Sequence, residues 1–140
     1  MMFLMREENV KKLSETEFDI MKVIWDNPAP VTTTLIMQKI GNERSWQVPA
    51  LITMLNRLND KGFIYSDKNG KMRNYYPLVK KQDYLEFITK EFMARYHDDS
   101  FVGFFATYYD LRMVSDETLM AFVEWVKKRR AEFRRYYPDK

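Results

Sequence analysis

Three polar side chains near the middle of the chain could recognise a ligand by hydrogen bonding. Thr53, Asn56 and Arg57 lie on one arc of a helix predicted over 48–61. The opposite arc carries an apolar stripe that would pack inward, formed by Leu51, Leu55 and Leu58. The polar groups can donate hydrogen bonds to nucleic-acid bases or phosphates. For Thr53 or Asn56 alone, an exposed and solvated helix face explains the pattern equally well.

Positive charge is concentrated directly after this helix. Between residues 61 and 81 a single acid, Asp67, is accompanied by six bases: Lys61, Lys68, Lys71, Arg73, Lys80 and Lys81. Lys68 and Lys71 enclose a turn-forming Asn-Gly pair between short strands predicted over 63–65 and 72–76, which indicates a β-hairpin with a basic tip. Such a tip can supply charge to a phosphate backbone. A solvated charged surface is the alternative interpretation of the patch taken alone.

The residue inventory does not indicate catalysis. The chain has no cysteine, which excludes disulfides, thiolate metal sites and cysteine nucleophiles. Its single histidine, His97, precedes Asp98 and Asp99, which are better placed to cap the next helix than to bind a metal. The chain has only four glycines, and its sequence contains no glycine-rich phosphate-binding motif. We therefore expect no enzyme activity, no cofactor and no metal site.

Composition predicts a folded, soluble protein. The 140 residues are 46% hydrophobic, which supports a core, and the net charge is only +3. The opening apolar run over 1–5 is much shorter than a signal-peptide core, and no later apolar stretch is long enough to span a bilayer. A cytoplasmic location without membrane insertion is the expectation.

The segments that would position the polar arc follow a recognisable order. Ser14 and Glu17 form a capping-box pattern at the start of a helix predicted over 14–26, and the threonines at 32–34 begin a second helix ending near Gly41. With the helix over 48–61 and the hairpin, this is the order of a winged helix-turn-helix, whose third helix enters the major groove of DNA. The predicted DNA-binding domain spans 1–80.

The remaining residues, 81–140, are predicted to form a helical dimerisation domain in a mainly α protein. Helices are expected over 81–96 and 100–113, and Ser115 caps a long last helix. Apolar side chains recur at helical spacing in the last two helices, at Phe101, Phe104, Phe105, Tyr108, Leu119, Phe122, Val123 and Val126. A second chain would cover them, although packing within one chain is the alternative. The bases over 127–130 are interpreted as solvated, since a helix C-terminus favours them.

An ordered set of residues from about Leu13 to Arg130 resembles the penicillinase repressor family, the winged-helix regulators of β-lactamase and methicillin-resistance genes. The set comprises Leu13-Ser14, Glu17, Met21, Ile24, Trp25, Trp46, the run from Thr53 to Leu58, Lys61-Gly62, Gly70-Lys71, Tyr75, Pro77, Phe92 and Arg95. Where the family usually has Lys-Thr in the first turn of the third helix, this chain has Pro49-Ala50.

The resemblance implies a homodimer that binds a palindromic DNA operator and blocks transcription. It also implies release when a regulatory protease cuts the dimerisation domain, at a segment matching Thr107-Tyr108 here. The predicted DNA-binding residues are Trp46, Pro49, Thr53, Asn56, Arg57, Lys68, Lys71 and Arg73. The alternative is a winged-helix protein-interaction module without specific DNA binding, which the missing first-turn donors at 49 and 50 would favour.

Overall fold

A computed structural model describes residues 11–138 of the chain. The elements, in order, are α1 (Glu15–Asp26), β1 (Val31–Thr32), α2 (Thr33–Ile36) continued by a π-helical turn (Met37–Gly41), α3 (Val48–Asp60), β2 (Ile64–Asn69), β3 (Met72–Pro77), α4 (Lys81–His97), α5 (Phe101–Asp110) and α6 (Asp116–Tyr136). This mainly helical order with a hairpin after α3 is a winged helix-turn-helix, as predicted. The chain divides within α4 into two compact units, one up to Glu91 and one from Phe92.

The start of α1 is held by the capping box expected from the sequence. The Ser14 hydroxyl accepts from the Glu17 N–H at 3.1 Å, and the Ser14 N–H donates to Glu17 Oε1 at 2.8 Å. Each side chain therefore accepts a hydrogen bond from the backbone N–H of the other residue. The same carboxylate takes part in a longer-range contact.

Glu17 is buried and forms an ion pair with Lys61, which follows the last residue of α3. Lys61 Nζ lies 2.7 Å from Glu17 Oε1, and it also donates to the carbonyl of Lys12 at 3.2 Å. Burial acts to raise the pKa of Glu17, but the hydrogen bonds from Lys61 and Ser14 outweigh it and the pKa is lowered from its usual value. The pair thus links the start of α1 to the end of α3.

Replacing Glu17 by glutamine is expected to lower the free energy of unfolding by about 1–3 kcal/mol at pH 7, because Lys61 loses its charged partner in a buried setting. The folded-state pKa of Glu17 is depressed, so its contribution is present above the unfolded-state pKa and is lost as pH falls through the folded-state value. Urea unfolding at several pH values should therefore show the two proteins converging below about pH 4.5. Glu15→Gln, on the exposed side of the same helical turn, is the control. A stability difference that does not change with pH would contradict this account.

The three strands form one antiparallel sheet with the order β1-β3-β2. Val31 pairs with the buried Tyr75, and Asn69 pairs with Met72 at the end of the hairpin. Gly70 begins the two-residue loop with φ +73°, a conformation that glycine adopts without steric cost. The hairpin was predicted, with shorter strands; the two-residue strand β1 was not.

The core of the first unit includes the beginning of α4. Tyr84 is buried, its hydroxyl accepts from the N–H of Leu13 at 2.9 Å, and its ring lies 5.5 Å from that of Phe63 between centroids. The Trp25 indole donates to the carbonyl of Val79 at 2.8 Å. These contacts attach the segment after the hairpin to α1.

The second unit contains α5 and α6, whose N-caps are Ser100 and Ser115. Ser115 was the predicted cap, but the prediction that Asp98 and Asp99 cap α5 was wrong, because both lie before the helix in left-handed conformations with φ 50° and 59°. The Ser100 and Ser115 hydroxyls accept from the third N–H of their helices. Helix α5 ends at Asp110, earlier than predicted, and Arg112 follows in a left-handed conformation with φ +56° that a helix cannot continue through. No described residue of α5 or α6 is buried. Because α6 continues to Tyr136, the bases over 127–130 lie before its last turn, and the helix terminus does not account for them.

Candidate nucleic-acid interface

An open groove of about 860 Å³ lies between α3 and the hairpin. Its floor includes the buried residues Leu55 and Tyr75. The remaining lining residues are Thr33, Thr34 and Met37 near α2, Asn42, Val48, Ile52, Asn56 and Asn59 on or before α3, and Ser66, Lys68, Lys71, Met72 and Arg73 on the hairpin. The helix wall and the hairpin wall differ in chemistry.

The helix wall is a row of side chains spaced four residues apart. Val48, Ile52 and Asn56 follow one another along α3, which places them on the same face. Val48 is 45% exposed and Ile52 is 40% exposed. Asn56 was a predicted site residue, whereas Val48 and Ile52 were not, because aliphatic side chains on a helix are expected to pack inward. Their four-residue spacing from Asn56 was the available signal.

The hairpin wall is positively charged. Lys68 and Arg73 are cross-strand partners and therefore lie on one face of the hairpin, while Lys71 is in its loop. Arg73 Nη1 donates to Ser66 Oγ at 3.0 Å, which holds the guanidinium against the strand. None of the described residues that line the groove is acidic. Two like charges directly opposite each other are unfavourable without a counter-ion, so this wall is suited to binding an anion.

The opposite face of the hairpin has a different character. The rings of Tyr65 and Tyr76 stack with centroids 4.7 Å apart, and Asn74 Nδ2 donates to Asp67 Oδ1 at 3.4 Å. Burial raises the pKa of the Tyr76 phenol, and the neighbouring Asp67 carboxylate raises it further. The positive charge of the hairpin is therefore directed to the groove side.

The other residues predicted to bind DNA lie outside the groove lining. Thr53, Arg57 and Pro49 are exposed on α3, and the Thr53 hydroxyl donates to the carbonyl of Pro49 at 3.1 Å. Trp46 is half-buried and packs against the core, with the Arg44 guanidinium 5.5 Å above its ring. The structure thus brings together Asn56, Lys68, Lys71 and Arg73, and it places the remaining four predicted residues beside them or in the preceding loop.

Neither a metal centre nor a membrane segment emerges from the part of the chain that the structure describes. Within residues 11–138, no three side chains of histidine, cysteine, aspartate or glutamate are grouped so that they could hold a metal ion. None of the helices in this range combines the length and apolar character needed to cross a bilayer.

Comparison with known proteins relates most of the chain to one family. The family model described as "Penicillinase repressor" matches residues 13–128, which include the winged helix and most of the second unit. The chain belongs to the penicillinase repressor family. Penicillinase repressors are DNA-binding regulators rather than enzymes, in agreement with the prediction of a non-catalytic chain.

Individual penicillinase repressor relatives are distant in sequence. The penicillinase repressor of Bacillus licheniformis is 28% identical over 91 residues, covering 65% of this chain and 70% of the relative. The methicillin resistance regulatory protein MecI of Mammaliicoccus sciuri is 29% identical over 90 residues, covering 64% and 72%.

Solved structures from the same family also match. The solution structure of the DNA-binding domain of the repressor BlaI has 27% identity and a TM-score of 0.47, and the match covers 60% of this chain and 94% of that one. The monomeric Bacillus licheniformis BlaI in complex with the blaP half-operator has 29% identity and a TM-score of 0.46, with coverage of 54% and 90%.

Proposed function

We propose that this protein is a sequence-specific DNA-binding transcriptional repressor that binds a palindromic operator as a homodimer. In this proposal residues 1–80 bind DNA and residues 81–140 form the dimer. The observation that carries it is the groove, in which Asn56 on an exposed helix face stands opposite a hairpin wall with three cations. The names of the relatives, a penicillinase repressor and a methicillin resistance regulatory protein, support a regulatory role.

Helix α3 enters the major groove of DNA in this proposal, and the hairpin follows the phosphate backbone. An asparagine can make two hydrogen bonds to adenine, and Arg57 on the neighbouring row can reach a guanine or a phosphate. The Thr53 hydroxyl donates a hydrogen bond to the carbonyl of Pro49, which leaves its oxygen as an acceptor for a base amino group. Pro49 and the accessible edge of Trp46 add apolar contact near the start of α3.

Dimer formation is supported by the side chains that α5 and α6 leave uncovered. Phe101 is 58% exposed and Val126 is 39% exposed, and Tyr108 is exposed as well. Phe105 and Phe122 stack at 5.4 Å between centroids and so connect the two helices. The other residues predicted at the interface are half-buried: Phe104, Phe105, Leu119, Phe122 and Val123. A second copy would remove this apolar surface from water.

Release of the repressor by a regulatory protease is a further part of the proposal. Thr107 and Tyr108 are exposed and lie inside α5, where the Thr107 hydroxyl donates to the carbonyl of Gly103 at 3.0 Å. Because a protease cleaves an extended backbone, α5 would have to unwind locally before the cut. The cut would separate part of the apolar surface of α5 from α6 and weaken the dimer.

A titration of labelled duplex DNA tests the proposal. We expect the affinity to fall on the order of a hundredfold or more between about 50 and 200 mM salt, because phosphate contacts release counter-ions. Arg57→Ala should weaken operator binding by about tenfold, whereas Lys128→Ala on α6 should change it by less than about twofold. Binding that is absent or insensitive to salt would favour the protein-interaction module, and equal losses in the two variants would contradict the assignment of α3.

A further inference from the structure

We propose that Val48 and Ile52 determine operator sequence by contacting thymine methyl groups, so that α3 reads A·T base pairs. The inference rests on the proposed function and adds to it two specificity residues. Both side chains are aliphatic and line the groove. Val48 is 45% exposed and Ile52 is 40% exposed. An exposed aliphatic pair on the row that would face the base edges gains free energy when an apolar group covers it.

The position of the pair along α3 favours base contacts. Val48 is the first residue of the helix and Ile52 follows one turn later, and the first turns of a recognition helix are the part that contacts base edges. Asn56 continues the same row. In the major groove only thymine presents a methyl group, and adenine presents the donor and acceptor pair that asparagine matches. The three side chains together therefore select A·T pairs.

The spacing of the row predicts the spacing of the bases. Four residues of helix rise about 6 Å, whereas successive base pairs are about 3.4 Å apart. Neighbouring members of the row would therefore contact positions about two base pairs apart when α3 lies along the groove. Each half-site is expected to contain thymines for Val48 and Ile52 and an adenine for Asn56.

The charge of the hairpin wall favours DNA as the partner of Val48 and Ile52. Lys68, Lys71 and Arg73 face the same groove, and none of the described lining residues is acidic. A purely apolar protein surface that covered Val48 and Ile52 would remove these cations from water without supplying a counter-charge. A DNA duplex supplies phosphates for the cations and methyl groups for the aliphatic pair in one ligand.

Removal of single methyl groups from DNA tests the inference. The purified full-length protein would first select duplexes from a random-sequence pool, and each thymine of the selected site would then be replaced by deoxyuridine, which lacks only the methyl group. We expect about a fourfold loss of affinity at specific thymines in each half-site, since burial of one methyl group has roughly that effect. In Ile52→Ala the difference between thymine and deoxyuridine should disappear at one of these positions, and in Val48→Ala at another.

The possible results distinguish thymine contact by Val48 and Ile52 from the proposed repressor function. Salt-dependent binding that ignores every methyl group, or variants that keep the full thymine preference, would overturn the inference and leave the repressor function standing. Absence of salt-dependent binding would overturn both. Because Val48 and Ile52 are exposed, the alanine variants should fold, and a thermal unfolding midpoint within a few degrees of the wild-type value confirms this.

Discussion

Replacing Phe101 and Val126 by glutamate is expected to convert the protein to a monomer and to lower its affinity for a palindromic operator by about a hundredfold or more. The proposed dimer places two α3 helices on successive major grooves, so the second half-site binds at a high effective concentration. The monomer loses this advantage but keeps the groove of the first unit. Light scattering would measure the mass, and anisotropy would measure binding to full and half operators.

The control for this experiment adds the same charge elsewhere. Gln82→Glu with Thr89→Glu introduces two acids at exposed positions of α4, which begins the proposed dimerisation domain but lies outside the interface assigned to α5 and α6. This variant should remain dimeric and lose affinity only through the general electrostatic repulsion of DNA. Phe101 and Val126 are exposed in the single chain, so their replacement should leave the fold of the monomer intact. A glutamate variant that stays dimeric would refute the interface assigned to α5 and α6.

Replacing Lys68, Lys71 and Arg73 together by alanine is expected to weaken DNA binding by roughly ten- to a hundredfold at physiological salt, with little change in base preference. Each phosphate contact adds about 0.9 to the slope of the logarithm of affinity against the logarithm of salt concentration, so three lost contacts should reduce the slope by about 2–3. Titrations at four or five salt concentrations would measure it.

A matched variant separates contact with DNA from total charge. Lys128→Ala, Arg130→Ala and Arg134→Ala remove the same three charges from the exposed C-terminal half of α6. We expect the salt slope of this variant to stay close to that of the wild type. If the salt slope fell by the same amount in both triple variants, net charge rather than the hairpin wall would explain the binding.

Local signals in the sequence were sufficient to predict most of the helices. The Ser14 and Glu17 capping box and the cap at Ser115 depend on residues within a few positions of each other, and both are present. Strand β1 could not be predicted in the same way, because two residues carry no alternating pattern. It exists only because Val31 pairs with Tyr75, which is distant along the chain.

Part of the candidate site could be predicted from residue type, because some of its side chains are polar or charged. Asn56 and the basic hairpin residues were predicted because their side chains can bind nucleic acids, and the structure places them around one groove. Val48 and Ile52 were not predicted as site residues, since aliphatic residues are expected to point inward. The inward stripe of Leu51, Leu55 and Leu58 was predicted and is buried, but only the tertiary arrangement shows that Val48 and Ile52 remain exposed and line the groove.

In the proposed DNA complex, strand β1 would also affect which operators the protein can bind. It joins the segment before α2 to the middle of β3, through the pairs Val31 with Tyr75 and Thr32 with Asn74. The distance between the helical elements and the hairpin is therefore set before any duplex arrives, and little conformational entropy remains to be lost there on association. A half-site whose backbone path does not match this fixed separation has to deform to fit, so groove width and bendability become selectable properties of the operator.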